Sequence, residues 1–370
     1  MKPAIPLTVL TGFLGAGKTS LLNRLLKDPA LAGTAVIINE FGDFGLDHLL
    51  VGESEDGIIE LSSGCLCCTI RGQLATTLEG LLRALDNKRI ARLDRVIVET
   101  TGLADPAPVL QSVLLHPYLS LRYRLDGVVT VVDAVNGVKT IAAHPEAARQ
   151  IAVADRIVLT KTDLPSADSD IFPAIRALNP AAAILDAVSG AATTALLFDS
   201  QPFGTKGKLA EVEAWLAADP DDHGRDHHGH HHHHHDHDVS RHDASIRSFT
   251  AIRQTPIGRM SLESFLERLA RDHGGHLLRM KGLVQTAGDL ERPLVVQAAQ
   301  TVFHPPERLP AWPSEDHRSR LVLIVHDLPA EAEAAILAAS SGLPSLDHAD
   351  ADTLADNPLA IGGFSGRFSP

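Results

Sequence analysis

The stretch "GFLGAGKT" (Gly12–Thr19) satisfies the pattern G-x-x-x-x-G-K-[ST]. The apolar run "IPLTVLTG" (Ile5–Gly12) leads into it, and it opens "KTSLLNRLLK" (Lys18–Lys27), where Leu recurs at helical spacing. Strand, glycine-rich turn and helix in that order turn a pattern match into a phosphate site. Glycines let backbone N–H groups fold inward around phosphate oxygens, and the helix N-terminus adds a favourable dipole. In that arrangement Lys18 reaches the β- and γ-phosphates and Thr19 offers its hydroxyl to Mg²⁺.

Further apolar runs follow: "TAVIIN" (Thr34–Asn39), "RVIVET" (Arg95–Thr100), "GVVTVVDA" (Gly127–Ala134) and "DRIVLTKTD" (Asp155–Asp163). They are short, β-branched and continuous rather than alternating, as strands buried on both faces are. With helical segments between them they give an α/β fold, a P-loop NTPase domain with a mostly parallel sheet and flanking helices, over residues 1–217. Residues 218–243 are polar, rich in His and Asp, and cannot bury a core; they read as a disordered linker. Strand and helix patterns return in "ASIRSFTAIRQTPIG", "SLESFLERLARDHG", "PLVVQAAQTVFH" and "RLVLIVHDL", predicting a smaller α+β C-terminal domain over 244–330. Residues 331–370 read as one Ala-rich helix followed by a loosely ordered tail.

Composition narrows the function classes. The 370 residues are 44% hydrophobic and 21% charged, enough apolar material for a real core. A formal net charge of -13 and the lack of a basic run argue against nucleic acid as a partner. No stretch approaches the roughly 20 apolar residues of a membrane span, and the N-terminal apolar run reads as a first strand rather than a secretion signal. The expectation is a cytoplasmic protein with no membrane partner.

"TKTD" (Thr160–Asp163) ends a late strand and resembles the N-K-x-D motif with which GTPases select guanine. The Asp of that motif accepts from guanine N1–H and the exocyclic amine, an edge adenine does not present. Thr160 stands where the motif usually has Asn; Lys161 and Asp163 match, and the base expected is guanine. "AVSG" (Ala187–Gly190), with Ser189, follows the next strand and is placed to offer an N–H to guanine O6. "RVIVETTGLADP" (Arg95–Pro106) supplies a strand-end carboxylate, Glu99, near the Mg²⁺, and a glycine, Gly102, that senses the γ-phosphate.

The chain has three cysteines, and all lie in "GCLCC": Cys65, Cys67 and Cys68. Neighbouring cysteines make strained disulfides, and a reducing compartment disfavours them anyway. Three thiolates on one short loop suit a soft cation such as Zn²⁺, leaving a fourth position for exchange or a weaker ligand. Glu40 and Asp43, in "INEFGD", are the candidate fourth ligands. Both segments lie between the phosphate loop and Glu99, where nucleotide switches respond to the γ-phosphate. The tract around His227, His228, His230–His235 and His237 suits weak additional binding of divalent metal.

"GFLGAGKTS", "INEFGD", "GCLCC", "ETTGLADP" and "TKTD", in that order, resemble the CobW-like family of metal-handling P-loop GTPases. "LLRMKGLV" and "RLVLIVHDL" look like that family's C-terminal domain, so the resemblance spans roughly residues 4–330. It implies a GTPase that binds a transition metal, zinc or alternatively cobalt, and couples GTP hydrolysis to handing that metal to a client protein. Carried over, Gly12, Gly15, Ala16, Gly17, Lys18, Thr19 and Ser20 become phosphate and Mg²⁺ residues, Cys65, Cys67 and Cys68 metal ligands, and Lys161 and Asp163 guanine contacts. Ile38 departs from those members that carry an acidic residue directly before "NEFG". The resemblance leaves zinc homeostasis, cobalamin synthesis and nitrile hydratase maturation open and is compatible with a homodimer. The competing readings are a metal-storing or metal-sensing binder with incidental GTPase activity, and a small-molecule kinase.

Overall fold

A computed structural model describes residues 4–38, 59–62, 70–198, 245–303 and 306–341. The first domain is built on strands β1 (Ile5–Thr11), β2 (Thr34–Ile38), β3 (Ile59–Ser62), β4 (Arg95–Glu99), β5 (Tyr123–Asp133), β6 (Arg156–Thr160) and β7 (Ala183–Asp186). They form one sheet in the order β3-β2-β4-β1-β5-β6-β7, and every neighbouring pair is parallel. Helices α1 (Lys18–Leu25), α2 (Ile70–Asp86), α3 (Ala107–Leu114), α4 (Leu119–Arg122), α5 (Gly137–Ala143), α6 (Pro145–Ala152), α7 (Ile171–Leu178) and α8 (Thr194–Phe198) connect and cover it. Leu7, Val9, Val96, Val128 and Ile157 are fully buried, so the continuous apolar runs are strands covered on both faces. β1 lies centrally between β4 and β5, and the chain crosses from one half of the sheet to the other beside it. In such sheets ligands bind beyond the carboxyl ends of the strands at that reversal.

The second domain has β8 (Ile246–Arg253), α9 (Arg259–His273), β9 (Leu277–Thr286), β10 (Asp289–Ala299), β11 (Val302–Phe303), β12 (Glu307–Arg308), β13 (Ser319–His326) and α10 (Ala330–Ser341). Its sheet is antiparallel, ordered β11-β10-β9-β13-β8, with β12 also on β10. Residues 331–341 do not form a separate tail. Helix α10 packs on β8, and its Ile336 is buried with Phe265, Met280 and Leu323. Its apolar residues are spread round the axis with almost no stripe, so periodicity does not announce a buried face. The linker over 218–243 and the tail beyond Ser341 lie outside the described residues.

The two domains share packing. Ile246, Leu278, Ala299 and Ile324 join the first domain's core. Beside them, the buried carboxylate of Asp155 faces Arg279 and Lys281 of β9, two residues apart and hence on one face of the strand. Burial pushes the Asp155 carboxyl up. Arg279, Lys281, the Val128 N–H and Arg156 outweigh that and hold it well below the usual carboxylate range. Among the described residues no helix is long and apolar enough to cross a membrane.

Candidate nucleotide site

The phosphate loop runs from the end of β1 into α1 at the carboxyl edge of the sheet. Gly12 has φ +141, and a Cβ there would lie 2.3 Å from the Val131 carbonyl oxygen, so only glycine lets the loop leave β1 against β5. Gly17, at φ +96, is the left-handed residue immediately before α1. Gly15 is also left-handed, at φ +74, and Ala16 is buried beneath the loop. The Lys18 ammonium curls back over this loop, donating to the carbonyls of Gly12 at 2.8 Å and Phe13 at 3.3 Å. Thr19 donates its hydroxyl to Glu99 Oε1 at 2.8 Å, and Ser20 is exposed on the same first turn. A hydroxyl and a carboxylate converging beside a phosphate cradle are the hard oxygen donors Mg²⁺ prefers, so these two residues fit that ion.

Gly102 is buried against the same loop: a Cβ on it would meet the Leu14 nitrogen at 2.5 Å. Its position brings the segment after β4 against the loop's third residue, while Leu14 and Leu103 are both exposed.

The "TKTD" segment is bound to the phosphate loop by side chains. Thr160 donates to the Ala16 carbonyl at 2.7 Å. Lys161, in the left-handed region at φ +60, donates to the Gly15 carbonyl at 3.0 Å and to Asp133 at 2.6 Å. A non-glycine residue held there stores strain of about 1–2 kcal/mol, which its bonds retain. Burial raises the Asp133 carboxyl, but Lys161 and the Val135 and Asn136 groups outweigh it and leave it below the usual range. Thr162 donates to Asp186 at 2.8 Å, and Asp186 also receives the Val188 N–H, so "TKTD" and the "AVSG" loop are one unit. Ser189 is exposed in that loop and Asp163 in the turn after β6. Arg24 of α1 fixes the Ala187 carbonyl at 2.6 Å.

Asp133, Asp186 and Arg24 were not among the sequence candidates. The two aspartates have one signal, position, a carboxylate ending each of two strands, and Arg24 has none. The Thr160 hydroxyl, where an Asn was expected, provides a tie between base segment and phosphate loop. Thr160→Val removes it, at about 1–1.5 kcal/mol. The expected result is about tenfold weaker GDP binding by calorimetry with an unchanged fold by circular dichroism. Wild-type affinity in this variant would show that the hydroxyl does not shape the site.

Cys65, Cys67, Cys68, Glu40, Asp43 and the histidine tract lie outside the described residues. The strands bordering the first two groups are described. Ser62, the last residue of β3, pairs with Ile38, the last of β2; Ile38 pairs with Glu99, and Glu99 with Leu10. The chain therefore departs toward the cysteines in register with Glu99 and two strands away, on the order of 10 Å at normal strand spacing.

Comparison with known proteins gives a consistent answer for both domains. Residues 6–186 match the family described as CobW/HypB/UreG, nucleotide-binding domain. Residues 246–340 match the cobalamin synthesis protein cobW C-terminal domain. The chain is 33% identical over 339 residues to the zinc chaperone YjiA of Escherichia coli, spanning 92% of this chain and 98% of that one. It is 32% identical over 365 residues to the zinc chaperone CobW of Pseudomonas aeruginosa, spanning 89% of each. The crystal structure of Zn(II)-bound YjiA GTPase from E. coli superposes with a TM-score of 0.66 at 29% identity, covering 93% of this chain and all of that one. With both domains matched in order and the relatives covered nearly end to end, the chain belongs to the CobW family of P-loop GTPases.

Proposed function

We propose that the chain is a GTP-hydrolysing metallochaperone that takes a transition metal, zinc first and cobalt as the alternative, at Cys65, Cys67 and Cys68 and passes it to a metal-requiring client protein. The observation that carries this reading is the register of Ser62, Ile38 and Glu99 across β3, β2 and β4. It sets Ser62, three residues before Cys65, two strands from the carboxylate that holds Thr19. Relatives named zinc chaperones, and a Schizosaccharomyces pombe relative named zinc-regulated GTPase metalloprotein activator 1, 38% identical over 195 residues, favour zinc as the cargo.

In this reading the backbone of Gly12–Thr19 and the Lys18 ammonium bind the phosphates. Mg²⁺, when bound, supplies neutralisation of developing phosphate charge, and Thr19 and Glu99 are the residues that would hold it. Gly102 meets the γ-phosphate. Lys161 and Asp163 orient guanine, with Ser189 beside it, and Asp133 keeps Lys161 in its left-handed turn. Glu40 or Asp43 completes the cargo site, and the histidine tract captures further divalent metal loosely. Hydrolysis loosens the hold on the cargo.

The test is GTP hydrolysis with and without stoichiometric Zn²⁺ or Co²⁺, in wild type and in the Cys65→Ala/Cys67→Ala/Cys68→Ala variant. Metal is expected to change the wild-type rate severalfold and leave the variant's unmoved, because a site coupling of 5-fold or more is the usual size of such linkage. Equal behaviour of the two proteins would separate the cysteines from the GTPase and favour storage.

A further inference from the structure

Helix α6 belongs to no nucleotide motif, yet it is gripped from two directions. On one side Gln150, 1% exposed, donates its amide to the carbonyls of Gly102 at 3.2 Å and Ala104 at 3.0 Å. The backbone carbonyl of Gln150 receives the Thr130 hydroxyl of β5 at 2.7 Å, which fixes the helix turn that carries it. On the other side the preceding residue, Arg149, reaches His326 of the second domain at 3.0 Å. Arginine only donates, so His326 Nε2 is the acceptor and its proton sits on Nδ1, facing Asp327 at 3.0 Å. Just beyond the helix, Asp155 is held by Arg279 and Lys281 of β9.

We propose that Gln150 is a positioning residue for the Gly102 segment, and that α6 carries the nucleotide state of that segment into the second domain. The proposal rests on the GTPase reading above. Gly102 is wedged between the Leu14 nitrogen of the phosphate loop and the Gln150 amide. The loop side is closed to it, so a Gly102 that shifts on meeting a γ-phosphate moves against Gln150. At 1% exposure water cannot replace the amide, and the helix follows. Gln150 Oε1 is buried and accepts no bond among the described residues, so the amide keeps an acceptor for a rearranged segment. A cavity of about 270 Å³ lies between the phosphate loop and α5 and α6, lined by Leu14, Thr140, Gln150 and Ile151, and gives α6 room to tilt. A parallel contact exists where Gln111 of α3, the helix that follows the Gly102 segment, donates to Gln300 at 2.9 Å.

Two variants and one exchange measurement test this. Gln150→Met keeps the side-chain length and removes both donors. It should lower kcat for GTP about tenfold while KM and GDP affinity stay within about twofold, since a merely misfolded site would move all three. Arg149→Ala leaves the Gly102 contacts intact and cuts α6 from His326. Its basal hydrolysis should match wild type. In wild type, amide exchange over β13 should differ several-fold between GDP and a non-hydrolysable GTP analogue, and Arg149→Ala should at least halve that difference. Identical β13 exchange in the two nucleotide states of an active wild-type protein overturns the relay and leaves the GTPase reading standing. An unchanged kcat in Gln150→Met overturns the positioning role. A wild-type protein that neither binds nor hydrolyses GTP removes the reading beneath both.

Discussion

On the proposed reading, Lys18→Ala should lower GTP turnover by on the order of 10²–10³-fold while zinc uptake persists. The ammonium is held over the loop by the Gly12 and Phe13 carbonyls, so its position is set before a nucleotide arrives. A charge fixed in advance costs no reorganisation when the phosphoryl group departs, and removing one such donor costs about 2.7–4 kcal/mol of barrier. Lys18 opens α1 and does not fill the core, so the fold should survive its loss with a stability change within about 0.5 kcal/mol. Lys18→Arg should not restore the rate, because the planar fork is bulkier than the point charge the loop encloses. The check is phosphate release at saturating GTP, with zinc competition against a chromophoric chelator on the same sample. Wild-type turnover in Lys18→Ala would put the reaction somewhere other than this loop, and loss of zinc uptake would show that the cargo site depends on it directly.

The phosphate loop was legible because its chemistry is local. Gly12, Gly17, Lys18 and Thr19 stand at adjoining positions of one loop, so spacing alone carries the meaning. The same holds for the buried strands, whose β-branched runs state their environment. Asp133 and Gln150 were not legible, since their partners stand 28 and 48 residues away and only the sheet brings them together. Strand β3 was missed because Ile59–Ser62 is four residues long and has no pattern to measure. The "LLRMKGLV" stretch does carry a signal for a buried ion cluster. Two cations at alternate positions of an otherwise buried strand need an anion opposite them, and Asp155, ahead of an apolar run, was a natural partner.

That partnership gives the other large effect. Asp155→Asn should cost about 3–5 kcal/mol, because it leaves the Arg279 and Lys281 charges buried without their counter-ion. Arg279 is 4% exposed and Lys281 8%, so solvent cannot take over. The loss falls on the contact between the domains, and urea unfolding of the variant should split into two transitions where wild type shows one. Replacing all three charges, as Asp155→Asn/Arg279→Met/Lys281→Met, should recover most of the stability, since an uncharged set of similar volume is often as stable as a buried ion cluster. The pH dependence has a definite sign. The folded Asp155 carboxyl titrates below its unfolded value, so its contribution is complete above about pH 4 and falls away as the pH drops toward the folded pKa. The difference in unfolding free energy between wild type and Asp155→Asn should therefore be flat from pH 7 to about 4 and shrink below it. A cost under about 1 kcal/mol at pH 7 would mean that Arg279 and Lys281 are neutralised by something other than Asp155, and a difference that persists unchanged at about pH 2 would mean that the stabilisation does not come from the Asp155 charge.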